Sequence, residues 1–197
     1  MELFFDTETS GTISKKLSFD DRNQAWCCQL AAILSTKDEI ISELNVLIKS
    51  NGRTIPQFIT DIHGITTDMC DTDGVEEHEA LEGFAVMLKD CPKRICHNYD
   101  FDSVFLYHMF QRNISKLSDE GRSAYFLQHP YFCTMKDQTI KKYINAKNVK
   151  GRLKWAKLAE MYKKLLEEDM PNAHDAMGDV IALRRCYYEL QKREIIA

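Results

Sequence analysis

Within its first ten residues this chain builds an apolar run and then presents two carboxylates: Glu2-Leu3-Phe4-Phe5-Asp6-Thr7-Glu8-Thr9-Ser10-Gly11. Leu-Phe-Phe reads as a buried strand, and Thr9-Ser10-Gly11 as the turn that ends it. Side chains alternate faces along a strand, so Asp6 and Glu8 share one. Neighbouring anions at an effective dielectric of about 20 repel by roughly 4 kcal/mol at about 4 Å. A hard divalent cation, which takes oxygen ligands, is the cheapest relief. Asp-x-Glu also occurs on solvated surfaces, so other parts of the chain must decide between the two readings.

The length of 197 residues with 44% hydrophobic content supports one domain, 1–197, with a real core. Seven cysteines, an odd number without regular spacing, argue against a disulfide framework. With no signal segment and no apolar run near 18 residues, the expectation is a reduced, cytoplasmic protein with no membrane partner. Cys27-Cys28 and the Cys91, Cys96, His97 group lack the second ligand pair of a zinc site, and read as buried apolar cysteine.

The net charge of −4 excludes a general nucleic-acid coat, but leaves room for a local site. Between Lys141 and Lys164 lie Lys141, Lys142, Lys147, Lys150, Arg152, Lys154, Lys157, Lys163 and Lys164, against the single acid Glu160. Such a run can be a solvated helix face; the interleaved Tyr143, Trp155 and Tyr162 favour a strand-binding surface.

Along the chain, residues 12–25 read as a polar loop that brings Lys15, Lys16 and Arg22 near the acidic site. Trp26–Leu34 and Ile40–Ile48 read as second and third strands around the turn Thr36–Glu39. Ile55–Met69 suggests a short helix and a loop through His63-Gly64-Ile65-Thr66. Helical spacing of Ala80, Leu81, Phe84, Ala85 and Leu88 places a helix at Glu76–Lys89. Arg94–His97 follows as a short strand, and then a helix to about Asn113 with Asp102 in its first turn, where the macrodipole favours an anion. Further helices are expected at Ser115–His129, Met135–Ala146, Lys154–Glu168 and Asp175–Arg193, with a strand at Tyr131–Thr134. His174 and Asp179, five apart, can face one point only if His174 lies before the last helix, which the break at Pro171-Asn172 permits. The small Ala176 and Gly178 would let that helix approach the first strand. Asp100 and Asp175 read as solvated or capping, and His97 and Asn98 as organisers of a strand end.

Four acids and one histidine thus stand in a set order: Asp6-x-Glu8 on a first strand, Asp102 opening a middle helix, His174 and Asp179 opening the last. With Phe5-Asp6-Thr7-Glu8-Thr9-Ser10-Gly11, His97-Asn98-x-x-Phe101-Asp102, His174-x-Ala176-x-x-Asp179 and an echo in His63-Gly64-Ile65-Thr66, the chain resembles the DEDDh exonucleases of the DnaQ-like, ribonuclease H-like superfamily from residue 1 to about 190. The resemblance implies an α/β fold with a mixed five-stranded sheet, order 3-2-1-4-5, flanked by helices. It implies two Mg2+ ions, replaceable by Mn2+, held by Asp6, Glu8, Asp102 and Asp179, and clamping the attacking and leaving oxygens of a phosphodiester. His174 would be the general base, since free imidazole titrates near pH 6.5. Asp6, Glu8, Asp102, His174 and Asp179 would then be catalytic, Thr7 and Thr9 would contact the terminal nucleotide, and His63, Gly64 and Ile65 would hold or separate its base.

The expected activity is removal of 5′-nucleoside monophosphates from the 3′ end of single-stranded or frayed DNA. Because no C-terminal extension follows the last helix, a stand-alone enzyme of bacterial or phage type, without a polymerase tether, is expected. An exoribonuclease of the oligoribonuclease-like or RNA-trimming kind is the alternative within the class. An idle nucleic-acid-binding module and a metal-stabilised structural domain are the alternatives outside it.

Overall fold

The computed structural model describes residues 1–126 and 130–197. In chain order the elements are β1 (Glu2–Thr9), β2 (Cys27–Ser35), β3 (Ile40–Leu47), α1 (Gln57–His63), α2 (Thr67–Asp73), α3 (Glu77–Lys89), β4 (Arg94–Cys96), α4 (Tyr99–Asn113), α5 (Asp119–Phe126), β5 (Tyr131–Cys133), α6 (Gln138–Ile144), α7 (Leu158–Leu166) and α8 (Ala176–Lys192). The strands form one sheet in the order β3-β2-β1-β4-β5. β1 pairs antiparallel with β2 and parallel with β4, β2 antiparallel with β3, and β4 parallel with β5. This is the mixed five-stranded ribonuclease H-like sheet that the family resemblance implies.

Two cores sit on opposite faces of the sheet, and the alternation along β1 feeds both. Leu3 and Phe5 enter the core made with α2, α3, α4 and α5, where Phe5 meets Phe84 and Tyr99 edge-on at 5.6 and 6.1 Å. Phe4 enters the other core, made with α6, α7 and α8, against Tyr187 and Tyr188 at 5.5 and 5.7 Å. β2 is buried along its whole length, which explains its near-continuous apolar sequence. The cysteines Cys27, Cys28, Cys70, Cys91, Cys96 and Cys186 are all buried and unbridged, as the composition suggests.

Helix boundaries depart from the periodicity where side chains intercept the backbone. α5 starts at Asp119, because the Ser118 hydroxyl accepts from Gly121 N at 3.0 Å as a cap does; the Ser115–His129 expectation extends into 127–129, outside the described residues. α6 is shorter than Met135–Ala146, capped by Asp137 on Ile140 N (2.8 Å) and closed by a left-handed Asn145. α7 begins four residues later than expected. Lys154 N is taken by Ala146 O (2.9 Å), His97 Nε2 donates to Ala156 O (3.1 Å), and Glu160 caps Lys157 N (2.8 Å). The Ile55–Met69 segment forms two short helices, since Gly64 at φ +78° ends α1 and Thr66 caps α2.

A buried ion cluster ties two loops to α3 and α4. Glu77, 5% exposed at the start of α3, receives Arg112 at 2.7 and 3.0 Å, Arg53 at 3.0 Å and Asn113 at 2.8 Å. Burial alone would raise the Glu77 pKa, but the bonds and charge of Arg112, with the charge of Arg53, hold it below the usual value. Arg112 also donates to Phe19 O at 2.7 Å, anchoring the 12–25 loop. Arg22 reaches toward Gly52 O, and none of Lys15, Lys16 and Arg22 borders the cavity that holds Asp6, so the expected approach of that loop to the acids is not made. Glu77→Ala leaves two guanidinium groups buried without their counter-ion, and should cost about 3–5 kcal/mol in urea denaturation.

Candidate active site

β1 carries Asp6 and Glu8 out of the core on the face of Phe4. Their cross-strand partners on β2 are Ala31, which leaves room beside Asp6, and Gln29 beside Glu8. Between Glu8 and Thr9 the register shifts. Such irregularities bend a strand and re-aim its side chains, and they recur beside active sites.

Asp102 arrives from the other side of the sheet. β4 ends at Cys96, the left-handed Asn98 (φ +78°) turns the chain, and α4 places Asp102 in its first turn. Only 2% exposed, Asp102 accepts from Thr7 N (3.1 Å) and Thr7 Oγ1 (2.7 Å) on Oδ1, and from Cys96 Sγ (3.1 Å) on Oδ2. His97 and Asn98 organise this end as expected: His97 lies 2.9 Å from the Thr134 hydroxyl and donates to Ala156 O.

The start of α8 is held by one neutral side chain. Gln29 Oε1 accepts from Ala176 N (3.1 Å), and Gln29 Nε2 donates to Asn45 Oδ1 and Asp175 Oδ1 (both 3.0 Å). Asp175 is the helix cap, accepting from Gly178 N at 2.9 Å. His174 lies before the helix in a left-handed conformation (φ +66°), and its N–H donates to Asp179 Oδ1 at 3.3 Å. Ala176 is fully buried in the core that holds Phe4. Gly178 plays a different part from the close approach to β1 expected of it: a Cβ there would come within 2.6 Å of Asn172 O, so its smallness admits the turn that carries His174.

Glu8, His174 and Asp179 each offer a ligand atom within 4.8 Å of the others'. Asp6 and Asp102 line the same cavity of about 410 Å³, with Trp155, Lys157 and Met170 among its walls. Asp6 is driven well above the usual carboxylate range, first by burial and then by Asp102, Asp179, Glu8 and Asp175. Burial, with Asp179, Asp102 and Asp175, pushes Glu8 up to about 8. Burial lifts Asp179 to about 6 against the N–H and charge of His174, and Asp102 to about 6 against the bonds from Thr7 and Cys96. Hard oxygen donors with mutually repelling charge are the donor set that a divalent cation fits.

Other candidates lie at varying distance from this centre. Thr7 lines the cavity, with its hydroxyl engaged by Asp102; Thr9 is buried and donates to Gly11 O at 2.8 Å. His63, Gly64 and Ile65 do not border the cavity. His63 Nδ1 accepts from Ile65 N at 3.0 Å, and Ile65 is a core residue, 5% exposed. Burial lowers the His63 pKa, offset in part by the Thr9 backbone and reinforced by His174. Of the interleaved aromatics only Trp155 borders the cavity, whereas Tyr162 is buried in the α7–α8 core. Two residues that hold the site were missed, Gln29 and Cys96. A lone amide inside the apolar run Trp26–Leu34 was the signal for the first; nothing in the sequence marks the second.

The family model RNase_T, described as an exonuclease family, matches residues 3–187. Among solved structures, Escherichia coli exonuclease I in complex with a dT13 oligonucleotide is similar at a TM-score of 0.76 and 20% identity, over 98% of this chain and 41% of that one. The zinc-bound form of the E. coli exonuclease I complex with single-stranded DNA gives a TM-score of 0.75 at 19% identity, over 98% and 41% of the two chains. A product-bound structure of exonuclease I gives 0.73 at 18% identity, over 98% and 44%. The chain therefore spans about two-fifths of the length of the solved chains it matches. A search of curated protein sequences finds no match.

The four carboxyls hold their protons more tightly in the folded, metal-free protein than in the unfolded chain. The stability this confers is complete below about pH 4, and is lost as pH rises through about 6 for Asp102 and Asp179 and about 8 for Glu8. In chelator, urea denaturation should show the wild type losing on the order of 2–4 kcal/mol more than Glu8→Gln between pH 4.5 and 8.5. Parallel pH profiles for the two proteins would mean that Glu8 is not crowded.

Proposed function

This chain belongs to the RNase_T exonuclease family, and on that premise we propose that residues 1–197 form one metal-dependent 3′-to-5′ exonuclease domain that removes 5′-nucleoside monophosphates from single-stranded or frayed DNA. The observation that carries the reading is the convergence of Asp6, Glu8, Asp102, His174 and Asp179, from three separate elements and the turn before α8, on one open cavity. Similarity in fold to exonuclease I, solved with single-stranded DNA, supports DNA as the substrate.

Asp6, Glu8, Asp102 and Asp179 would hold the cations, two per site, with Mg2+ the expected ion and Mn2+ a substitute. When bound, these supply Lewis-acid stabilisation of the attacking and leaving oxygens of the phosphodiester. His174, exposed at the cavity rim, takes the proton from the attacking water on an imidazole nitrogen, a task suited to imidazole near neutral pH. The water oxygen bonds to phosphorus, the bond from phosphorus to the 3′ oxygen breaks, and the departing 3′ oxygen takes a proton from solvent. Thr7 and Cys96 keep Asp102 aimed throughout, and Gln29 keeps α8, and with it Asp179, in place.

The test is digestion of 5′-labelled single-stranded DNA and RNA with Mg2+ or chelator on a denaturing gel. A ladder shortening from the 3′ end, faster on DNA and lost in chelator, is expected. His174→Ala should slow it about 10²–10⁴-fold. Asp6→Asn should abolish it, together with most of the roughly 2.7 kcal/mol by which Mg2+ at about a hundredfold excess over its dissociation constant stabilises the fold. An oligonucleotide left intact but retarded on a native gel would replace the enzyme with a binding module.

A further inference from the structure

Residues 146–154 form a hairpin closed by several backbone hydrogen bonds, although its tip buries nothing. Lys154 N bonds Ala146 O, Lys147 and Leu153 bridge antiparallel, and Asn148 and Gly151 close the turn with bonds of 2.9 Å. The Asn148 side chain accepts from Lys150 N and Arg152 N at 2.9 and 3.0 Å, and Gly151 takes φ +71°. Yet Val149 at the tip is wholly exposed, and Lys147, Lys150, Arg152 and Leu153 are exposed with it. An isolated two-stranded hairpin is marginal in water, and ordering one that buries no apolar face gains little from packing.

Its position and charge suggest what it is for. Three residues beyond Arg152 the chain reaches Trp155, a wall of the active-site cavity, over which Lys141 Nζ sits at 3.9 Å and Lys136 Nζ at 5.8 Å. Fully extended chain covers about 3.3–3.6 Å per residue, so Arg152 stands no more than about 11 Å from Trp155. Lys154 is neutralised by Glu160 at 2.7 Å, and Lys163 by Asp169 at 2.7 Å. Among the described residues, by contrast, Lys141, Lys147, Lys150 and Arg152 have no acidic partner, on a chain of net charge −4. Acidic residues line the cavity, and basic ones without acidic partners lie along the chain that leads to its Trp155 wall.

We propose that this hairpin grips the single-stranded substrate on the 5′ side of the terminal nucleotide, with backbone phosphates against Lys141, Lys147, Lys150 and Arg152, and Trp155 as the wall along which the bases pass. The proposal rests on the nuclease reading and adds to it a length requirement: a strand too short to reach the hairpin is cleaved without its help. Phosphate neutralisation on a single strand contributes about 0.7 to the slope of log affinity against log salt for each contact.

The experiment compares wild type with the triple variant Lys147→Ala, Lys150→Ala, Arg152→Ala, all exposed positions, with circular dichroism to check folding. The substrates are the p-nitrophenyl ester of thymidine 5′-monophosphate and a sixteen-nucleotide oligothymidylate. The variant should keep ester turnover within about twofold, lose about tenfold or more in kcat/KM on the oligonucleotide, chiefly through KM, and show a salt slope shallower by about 2. Fluorescence anisotropy of labelled oligothymidylate in chelator reads the same contacts without turnover, and should show a similar loss. Absence of hydrolysis on every substrate would sink the nuclease reading alone. Equal anisotropy, salt slope and oligonucleotide kinetics in the two proteins would overturn the hairpin's role and leave its charge to a partner other than nucleic acid.

Discussion

Because a strand shows alternate residues to opposite sides, β1 can belong to two cores at once, and the architecture follows from its doing so. Leu3 and Phe5 bind it to the layer of α2 to α5, and Phe4 to the layer of α6 to α8. Where the apolar residues run out, the same alternation continues with Asp6 and Glu8 on one side and Thr7 on the other. A one-residue slip would send the carboxylates toward the first core and take Thr7 from Asp102. Both aromatic residues of β1, Phe4 and Phe5, thus guard the register of its acids.

The acids gather against their own repulsion, and the structure restrains them with neutral groups. Thr7 and Cys96 supply hydrogen bonds to Asp102 without adding charge. Gln29 does the same for the start of α8. A lysine or arginine in any of these places would quench the field that makes the cluster attractive to a cation. The cationic charge is kept on the hairpin and around Trp155, outside the floor of the cavity. Elsewhere the chain handles buried charge in the opposite way, pairing Glu77 with two arginines so that nothing remains for a ligand to neutralise.

Much of this was legible in the residues. The acids on β1, Asp102 in the first turn of α4 and the placing of His174 before α8 could be read because each is a local pattern: a period of two, an acid in a first turn, a break at Pro171-Asn172. The sheet order came from the family resemblance, since no local pattern carries it. The boundaries of α5, α6 and α7 were not. They are decided by single bonds from Ser118, Asp137 and His97, and the last of these comes from a residue 59 positions from the carbonyl it claims. Gly178 misled for a similar reason. Smallness is visible in sequence, but which neighbour needs the space, Asn172 rather than β1, is a tertiary fact. Cys96 looked like one more buried thiol, and only the meeting of β4 with α4 shows its proton directed at Asp102.

Gln29 carries a consequence for how relatives of this chain should be sorted. Its amide joins β2, β3 and the first turn of α8 through three bonds, and it stands in none of the motifs by which such chains are recognised. A sequence that kept every acid and the histidine, but placed leucine at this position, would pass any motif filter while its last helix lost the bonds that set its start. Loss of function in this lineage can therefore begin as a silent event, at a residue without chemistry of its own, well before any catalytic letter changes.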